Sequence, residues 1–232
     1  KARGVNAGKR LSKEAYRTDS VRALETPQGD EIYYVRNGGY QRASLMRAKE
    51  GSEHEQLVKL NGGADIDVHA EAGILLTQNE ICNNYTIYKD IYVYHKDKDE
   101  LERLTECGRY LYASWRPDGN SMVAVHHNKA RFELQLLDDK GGFQDVLWKA
   151  EDNEIIGQID VSPDDKEIVA SIWRREDGWN IETFSFEEKK WQKITRGVSI
   201  AAYPQYNADG DILFTLEADG VSEAGGHPAF GR

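Results

Sequence analysis

The stretch SWRPDGNSMVAV, residues 114–125, decides the fold because its pattern recurs along the chain. An aromatic residue precedes a Pro-Asp-Gly turn, and an apolar run follows it. The same order appears in VSPDDKEIVA from Val161 and in YNADGDILFT from Tyr206, and upstream in EAGILLT and TPQGDEIYYV. The turn positions lie 44 to 46 residues apart, at Gly29, Gly73, Gly119, Asp165 and Gly210. A constant period of this length is typical of a repeat architecture.

Two further columns keep the same period. The position three residues after each turn position is apolar, at Ile32, Leu76, Met122, Ile168 and Leu213. An apolar residue also closes each of the first four units, at Leu60, Leu104, Trp148 and Ile194. Three columns with one period predict a structural unit that is copied, rather than a single hairpin in a mixed fold.

Each unit has the pattern of four short strands. The first precedes the turn and the second is the apolar run. The third is rich in aromatic and aliphatic residues, as in DIYVYHKD and RFELQLLDD, and the fourth ends at the third column. Proline presets the second turn position at Pro117 and Pro163, and a residue that tolerates the left-handed conformation follows, as at Gly119 and Asp165. The sequence therefore predicts an all-β fold: a β-propeller of four-stranded antiparallel blades, with four full repeats and a partial fifth.

The composition excludes several classes of function. The formal net charge of −10 argues against nucleic-acid binding, which requires a basic surface, and is compatible with a basic partner. No apolar run approaches the ~20 residues of a membrane span. The sequence has no phosphate-binding glycine loop, no H-E-x-x-H motif and no EF-hand loop. We therefore expect no catalytic residue, no cofactor and no metal in this chain.

SWRPDGNSMVAV followed by FELQLLD resembles the W-S-P-D-G repeat of the TolB-like β-propellers, and DIYVYHKDKDELERLT is similar to that family's third and fourth strands. The resemblance covers roughly residues 19–218 and is weakest in the first unit. It implies six blades, so the sequence is expected to be part of a larger propeller or to omit stretches of one. It also implies a bacterial protein of the periplasm or the extracellular space. ARGVNAGKRLS near the start resembles the joint between a peptidase-like domain and such a propeller.

The repeat sets the expected domain boundaries. We expect a basic arm or linker over 1–18, a propeller over 19–218, and a flexible Gly-rich tail over 219–232. The expected repeats are about 19–63, 64–110, 111–156, 157–200 and 201–218, so that the fifth unit supplies only two strands. An unclosed ring of this kind exposes sheet edges and apolar faces, through which it can self-associate.

One polar column is the candidate binding site. The position before the aromatic or apolar residue of each first strand reads Asp67, Ser114, Asp160 and Gln205. First strands line the channel of a propeller, so this column predicts a channel-mouth site for a cation or a basic peptide. Such groups can equally bond to water or to the neighbouring backbone. A further alternative is a catalytic metal held by carboxylates such as Asp67 and Asp160. Alternate positions of ADIDVHAE also place four side chains on one strand face: Asp65, Asp67, His69 and Glu71.

Two pairs of residues outside this column also carry expectations. Trp173 and Trp179 flank the RREDG hairpin, and we expect them to make exposed loop contacts. Cys82 and Cys107 follow the second and fourth strands of one unit, on the same side of its sheet. One intervening strand separates these ends by about 9–10 Å, so a disulfide requires the connectors to bend inward, and two free thiols are equally compatible with the spacing.

These expectations combine into two functional hypotheses. The first is a non-enzymatic interaction scaffold that presents its loops and its channel mouth to a protein or peptide partner. The alternative is an accessory domain that gates or docks substrate for a secreted hydrolase or peptidase whose catalytic domain is absent from this chain.

Overall fold

The computed structural model describes residues 17–27, 29–38, 41–49, 54–197, 200–218 and 221–227. The regular structure within these ranges is β, with 19 strands in five antiparallel sheets. None of these residues forms a helix of the length and apolarity needed to cross a membrane. Most of the expected basic arm, residues 1–16, lies outside the described residues.

Each sheet is one blade, and its strands follow one another in chain order. Blade 1 comprises β1 (Arg17–Leu24), β2 (Glu31–Gly38), β3 (Gln41–Lys49) and β4 (Glu55–Lys59). Blade 2 comprises β5 (Asp65–His69), β6 (Gly73–Cys82), β7 (Thr86–His95) and β8 (Glu100–Arg103). Blade 3 comprises β9 (Tyr110–Trp115), β10 (Ser121–Asn128), β11 (Arg131–Asp138) and β12 (Phe143–Lys149).

Blade 4 comprises β13 (Glu154–Val161), β14 (Glu167–Arg174), β15 (Gly178–Ser185) and β16 (Trp191–Lys193). Blade 5 comprises β17 (Ile200–Tyr206), β18 (Ile212–Ala218) and β19 (Val221–His227). The all-β propeller with four full repeats and a partial fifth is thereby confirmed.

The first strands of the five blades surround a central channel. β1 packs on β5, β5 on β9, β9 on β13 and β13 on β17. The side-chain amide of Gln205 on β17 donates to the carbonyl of Val21 on β1 at 3.1 Å, which joins the fifth blade to the first. Between β17 and β1, the described residues lack the extensive packing that unites the other neighbours.

The repeated turn has the geometry that its residues dictate. In the third unit, the amide of Gly119 donates to the carbonyl of Arg116 at 2.9 Å, and Asp165 repeats this bond to Ser162 at 2.9 Å. The five turn positions all have positive φ: Gly29, Gly73, Gly119, Asp165 and Gly210. Asp165 has an additional role that glycine cannot fill, because its carboxylate binds the Arg116 guanidinium of the preceding blade at 2.5 and 2.8 Å.

Apolar residues of the second and third strands fill the spaces between blades. Leu76 and Tyr92 of blade 2 pack against blade 1, whereas Leu75 and Ile91 pack against blade 3. In the apolar column, Leu76, Met122 and Ile168 are fully buried. Leu213 breaks the column, since it is 52% exposed whereas Ile212 is 2% exposed. The connection between β17 and β18 is one residue shorter than the equivalent connections of blades 3 and 4. Ile212, rather than Leu213, therefore pairs with Tyr206 and faces the core.

The C-terminal segment corrects the expectation of a flexible tail over 219–232 for residues 221–227; the rest of that range lies outside the described residues. β19 pairs with β18 from Val221 to His227 and adds a third strand to blade 5. A ladder of backbone hydrogen bonds does not require β-branched side chains, and the glycines fit their partner closely. A Cβ on Gly225 would lie 2.7 Å from the ring of Phe214. The Gly-rich composition of this segment therefore gave no indication of the strand.

The strand directions define two faces of the propeller. All first strands begin at one face, which also carries the hairpins between the second and third strands; we call it the mouth face. The repeated Pro-Asp-Gly-type turns lie on the opposite face, which we call the turn face. The distinction matters because exposed apolar residues are distributed unequally between the two faces.

Candidate functional site: the channel mouth

A cavity of about 530 Å³ opens at the centre of the mouth face. Its walls come from the first strands of all five blades and include Arg17, Asp19, Arg22, Asp65, Tyr112 and Tyr203. The charged groups of the wall are paired. Arg17 contacts Asp19 at 2.7 Å, and Asp65 accepts from Lys89 at 2.8 Å. The cavity is therefore polar and close to neutral, with two tyrosine rings in its wall.

The predicted polar column forms a belt just below this cavity. Asp67 accepts the backbone N–H of Trp115 in the next blade at 2.7 Å. The Ser114 hydroxyl accepts the N–H of Val161 at 3.2 Å, and Asp160 accepts the N–H of Tyr206 at 2.7 Å. Each side chain thus reaches the first strand of the following blade. The structure brings Asp67, Ser114 and Asp160 together, and Gln205 joins the same belt through its bond to blade 1.

The belt has a fifth member that the sequence analysis missed. The Ser20 hydroxyl accepts the N–H of Ile66 at 3.0 Å, as Ser114 does for Val161. Ser20 lies 47 residues before Asp67, and Ser114 lies 47 residues after it. The period therefore pointed to Ser20, but the first unit is too divergent for its turn motif to identify the position.

A guanidinium group lies between the two belt carboxylates. Nε of Arg22 is 3.3 Å from Asp67, and its Nη2 is 3.9 Å from Asp160. The Ser114 hydroxyl lies 3.0 Å from Asp67 and 3.4 Å from Asp160. Arg22 belongs to no repeated column, so no sequence signal identified it. Its charge occupies the position in which a cation would meet these carboxylates.

Burial raises the pKa of Asp160 well above the usual range of a carboxyl group. Loss of hydration and the nearby Asp67 charge together raise the pKa of Asp160 to about 7, against the opposing effect of Arg22. The backbone N–H of Tyr206 and the Ser114 hydroxyl also favour the ionised form. The raised pKa follows from a carboxyl group enclosed beside a second one, with a single guanidinium for both.

The side chains of ADIDVHAE do not form one cluster. Asp65 lies in the cavity wall, and Asp67 lies in the belt. His69 lies at the turn face, where its Nε2 is 3.1 Å from the carbonyl of Pro117 and its Nδ1 accepts the N–H of Ala72 at 3.0 Å. Residues that share one face of a strand are separated along its length, and each meets a different part of the next blade. Among the described residues, no group of three or more His, Cys, Asp or Glu side chains is placed to hold a metal ion.

Register shifts occur in several first strands at the cavity, and two of them place a residue other than glycine at positive φ. Ser20 has φ 42° where β1 shifts register, and Tyr203 has φ 55° where β17 does. Bulges redirect side chains, and positive φ is unusual for residues other than glycine. Tyr203 is 57% exposed and lies in the cavity wall. The mouth is therefore shaped by local departures from regular strand geometry.

Exposed apolar side chains concentrate on the mouth face. Of the nine large apolar residues that are exposed within the described ranges, seven lie on the mouth face: Val21, Ile81, Tyr85, Ile87, Ile155, Ile200 and Tyr203. Phe143 and Leu213 lie at the turn face. Clusters of exposed apolar residues mark binding surfaces more often than scattered ones do.

The tryptophan pair also lies on the mouth face. Trp173 and Trp179 are directly opposite each other on β14 and β15, and Ile155 pairs with Trp173 from the other side. Both indoles are half-buried rather than fully exposed. A Cβ on Gly157 would lie 3.2 Å from the ring of Trp179, so the edge of this ring packs on β13. The pair thus forms part of the mouth-face surface, and its role in binding stays a prediction.

No family model matches the sequence, and no curated protein matches it. Solved structures match its fold. The putative TolB from Agrobacterium tumefaciens is 16% identical, with TM-score 0.64, over 89% of this chain and 72% of that chain. TolB from Acinetobacter baumannii is 14% identical, with TM-score 0.62, over 89% and 65% of the two chains.

A third solved structure, a puromycin-hydrolyzing peptidase of Mycobacterium tuberculosis, is 15% identical, with TM-score 0.57, over 96% of this chain and 39% of that chain. At such identities the likeness concerns the fold alone. The chain spans less than two thirds of the Acinetobacter TolB and of the peptidase.

Proposed function

Starting from the TolB-like β-propeller fold of this chain, we propose that it is a non-enzymatic scaffold that binds a protein or peptide partner at its channel mouth. The observation that carries the proposal is the coincidence of two features on one face. The cavity of about 530 Å³ opens there, and seven of the nine exposed large apolar side chains of the described residues lie on the same face, with Val21 and Tyr203 in the cavity wall. The turn face carries a cavity of about 430 Å³ beside β15 and β16, but only two of the nine exposed apolar residues, Phe143 and Leu213, lie on that face.

The chemistry of the mouth suits a polypeptide segment. Polar groups from five first strands surround the cavity, and tyrosine rings provide apolar contact area with few rotatable bonds. The overall charge of −10 attracts a basic segment over distance, although the ions in the wall are paired. Asp67, Ser114 and Asp160 support the cavity floor, and in this proposal they shape the site from below, whereas Gln205 contributes directly to its wall.

A display library of random linear peptides, selected on the immobilised protein, tests this function. We expect the enriched peptides to lose about tenfold or more in affinity for Tyr203→Ala, because tyrosines at the centre of an interface often dominate binding. Phe143→Ala removes an equally exposed ring from the turn face, and affinity for it should be unchanged. Enriched peptides that are indifferent to Tyr203→Ala and sensitive to Phe143→Ala would place binding on the other face and refute the proposal.

A second candidate function is an accessory propeller that docks substrate for a hydrolase or peptidase. The similarity to the puromycin-hydrolyzing peptidase favours it, because this chain spans 39% of that one. Sequencing the parent gene tests this candidate: an adjoining catalytic domain would support it, and a gene that encodes the propeller alone would exclude it.

For either function we propose a periplasmic or extracellular location. The bond between Cys82 and Cys107 supports it, since disulfides persist in oxidising compartments. Fractionation of the source cells tests the location: recovery of the chain with cytoplasmic markers would contradict it.

A further inference from the structure

The hairpin between β6 and β7 carries the most exposed apolar residues of the described chain. Tyr85 is 88% exposed, Ile81 is 68% exposed and Ile87 is 64% exposed. Ile81 and Ile87 are directly opposite each other across the hairpin. We call residues 81–87 the blade-2 tip. The turns of the corresponding hairpins in blades 3 and 4 are polar, with the sequences NKAR and RREDG. The pairs equivalent to Ile81 and Ile87 in those blades, His127 with Phe132 and Trp173 with Trp179, are half-buried, whereas the two isoleucines are exposed.

The tip is held rigid from below. The disulfide joins Cys82, at the end of β6, to Cys107 in the connector after β8. Asn83 and Asn84 both have positive φ, and the N–H of Tyr85 donates to the carbonyl of Cys82 at 3.3 Å, which closes the turn. On the strand below, the Arg109 guanidinium stacks on the ring of Tyr88 at 4.3 Å and donates to its hydroxyl. A surface fixed in this way loses little conformational entropy when it binds.

The tip also stands above the channel mouth. β6 and β7 have ten residues each, whereas the equivalent strands of blades 3 and 4 have eight. Thr77 pairs with Asp65 at the cavity wall, and Ile81 lies four residues further along β6. At about 3.3 Å per residue, the apolar pair therefore stands roughly 13 Å beyond the level of Asp65.

One side chain connects the tip to the cavity wall. Lys89 lies two residues after Ile87 and therefore on the same face of β7. Its ammonium group donates to Asp65 at 2.8 Å and lies 5.3 Å from the centre of the Tyr112 ring. Asp65 and Tyr112 both line the cavity. The apolar face of the tip is thus continuous with the wall of the channel mouth.

We propose that the blade-2 tip is a second contact for the polypeptide that binds at the channel mouth, and that it selects a segment with apolar side chains beside the residues that enter the cavity. This inference rests on the proposed function. Its physical basis is the fixed apolar pair of Ile81 and Ile87. Lys89, on the same strand face, reaches the cavity wall, and Tyr85 lies at the end of the hairpin.

Other occupants fit the tip less well. Its three apolar side chains expose on the order of 400–500 Å², well below the ~800 Å² per partner of a standard interface, so a contact between two tips would be too small for a stable dimer. A lipid surface is disfavoured because the nearby cations, Lys89 and Arg109, are occupied by Asp65 and Tyr88. The net charge of −10 also repels anionic membranes. A partner that covers both the tip and the channel mouth buries surface area at both sites.

The peptides selected on the wild-type protein are the probe for this inference. The variant Ile81→Thr/Tyr85→Ser/Ile87→Thr keeps β-branched residues in the strands and removes the apolar surface. We expect it to weaken peptide binding by about tenfold or more, and we expect enriched sequences to contain recurrent aliphatic or aromatic residues. Phe143→Ser, on the turn face, is the matched control and should leave affinity unchanged.

The outcomes separate the inference from the proposed function. Peptides that respond to Tyr203→Ala but not to the tip variant would overturn the role of the tip and leave the channel-mouth function intact. Peptides that respond to neither variant would overturn both. Flotation with phosphatidylcholine vesicles, or a concentration-dependent dimer in sedimentation, each abolished by the tip variant, would assign the surface to lipid or to a second copy and overturn the inference as well. Near-ultraviolet circular dichroism verifies that each variant is folded.

Discussion

The carboxylate of Asp67 in blade 2 accepts the backbone N–H of Trp115 in blade 3 at 2.7 Å, and this bond shows how the blades are held in register. A side chain of one first strand bonds to the backbone of the next. Ser20, Ser114 and Asp160 repeat the arrangement around the channel. The belt therefore aligns neighbouring blades at the level where the cavity ends.

Replacement of Asp67 tests the contribution of this belt to stability. Asp67→Ala leaves the N–H of Trp115 without its acceptor and deprives Arg22 of a partner, so we expect it to lower the free energy of unfolding by about 3 kcal/mol. Asp67→Asn retains an oxygen that can accept the N–H and should cost less. Urea denaturation of the three proteins measures both values. A loss of less than ~0.5 kcal/mol for the alanine variant would show that the belt does not support the fold.

Asp160 makes stability depend on pH in a direction opposite to that of most carboxyl groups. Its folded-state pKa of about 7 lies above the value of ~3.9 expected in the unfolded chain. Between these values the folded protein holds a proton that the unfolded chain has lost. The contribution of Asp160 to stability is therefore complete at low pH and is lost as pH rises through 7. The charged groups that face it are Arg22 of β1 and Asp67 of β5.

Asp160→Asn should remove this dependence. Relative to wild type, we expect the variant to gain ~1–3 kcal/mol in unfolding free energy between pH 5 and pH 8, at 1.4 kcal/mol per pKa unit. The comparison with wild type is needed because burial lowers the pKa of His126 below its ordinary value near 6.5, and this group favours the folded state as pH rises through that range. Urea denaturation at the two pH values gives the difference. Parallel pH profiles for the two proteins would contradict the assignment.

Gly119 is required for two reasons that can be separated. Its φ of 65° disfavours any side chain, and a Cβ would lie 2.7 Å from Cε1 of His69. Gly178 has φ 69° but no atom within 4 Å of the same position, so Gly178→Ala measures the backbone strain alone. We expect about 1 kcal/mol for Gly178→Ala and at least ~1 kcal/mol more for Gly119→Ala.

The same glycine substitutions in a His69→Ala protein measure the packing contribution of His69. In His69→Ala, the two ring atoms nearest the added methyl group are removed and Cβ of Ala72 stays 3.3 Å away, so most of the excess cost of Gly119→Ala over Gly178→Ala should disappear. Thermal unfolding of the double and single variants gives the coupling. Equal costs for both glycines in the wild-type background would refute the role of His69.

The disulfide should stabilise the propeller as well as its tip. Cys82 and Cys107 are 25 residues apart in sequence, and closing a loop of this length is worth about 3 kcal/mol in the chain-entropy account. We expect Cys82→Ser/Cys107→Ser to lose about this much. A thiol assay on the denatured, unreduced wild type should find no free thiol, and it should find two after reduction. Two free thiols before reduction would disprove the bond.

The disulfide was left open by the sequence, and the reason lies in a contact distant along the chain. The intervening strand would hold the two ends too far apart if the connector were extended. Buried Asp90 instead accepts the N–H groups of Cys107 and Gly108 at 3.0 and 2.6 Å, and draws the connector inward. The two Cα atoms consequently lie 5.5 Å apart. Strand geometry alone contained no information about this bend.

The sequence by itself determined the repeat, the blade and the turn. These features depend on interactions within a few residues: the alternation of side chains, the φ of proline and the left-handed positions at Gly119 and Asp165. It also located the polar column, because Asp67, Ser114 and Asp160 recur at the same period. Local chemistry is copied with each unit, and a periodic sequence therefore reveals it.

Only the tertiary structure decided what these residues meet. Arg22 reaches Asp67 and Asp160 because the first blade packs beside the second and because all first strands converge on one channel. Lys89 reaches Asp65 because β7 and β5 flank β6 in the sheet of blade 2. These groups belong to no repeated column, and their partners lie tens of residues away in sequence. The packing of blade on blade and of strand on strand brings them together, and no local preference of the chain specifies these contacts.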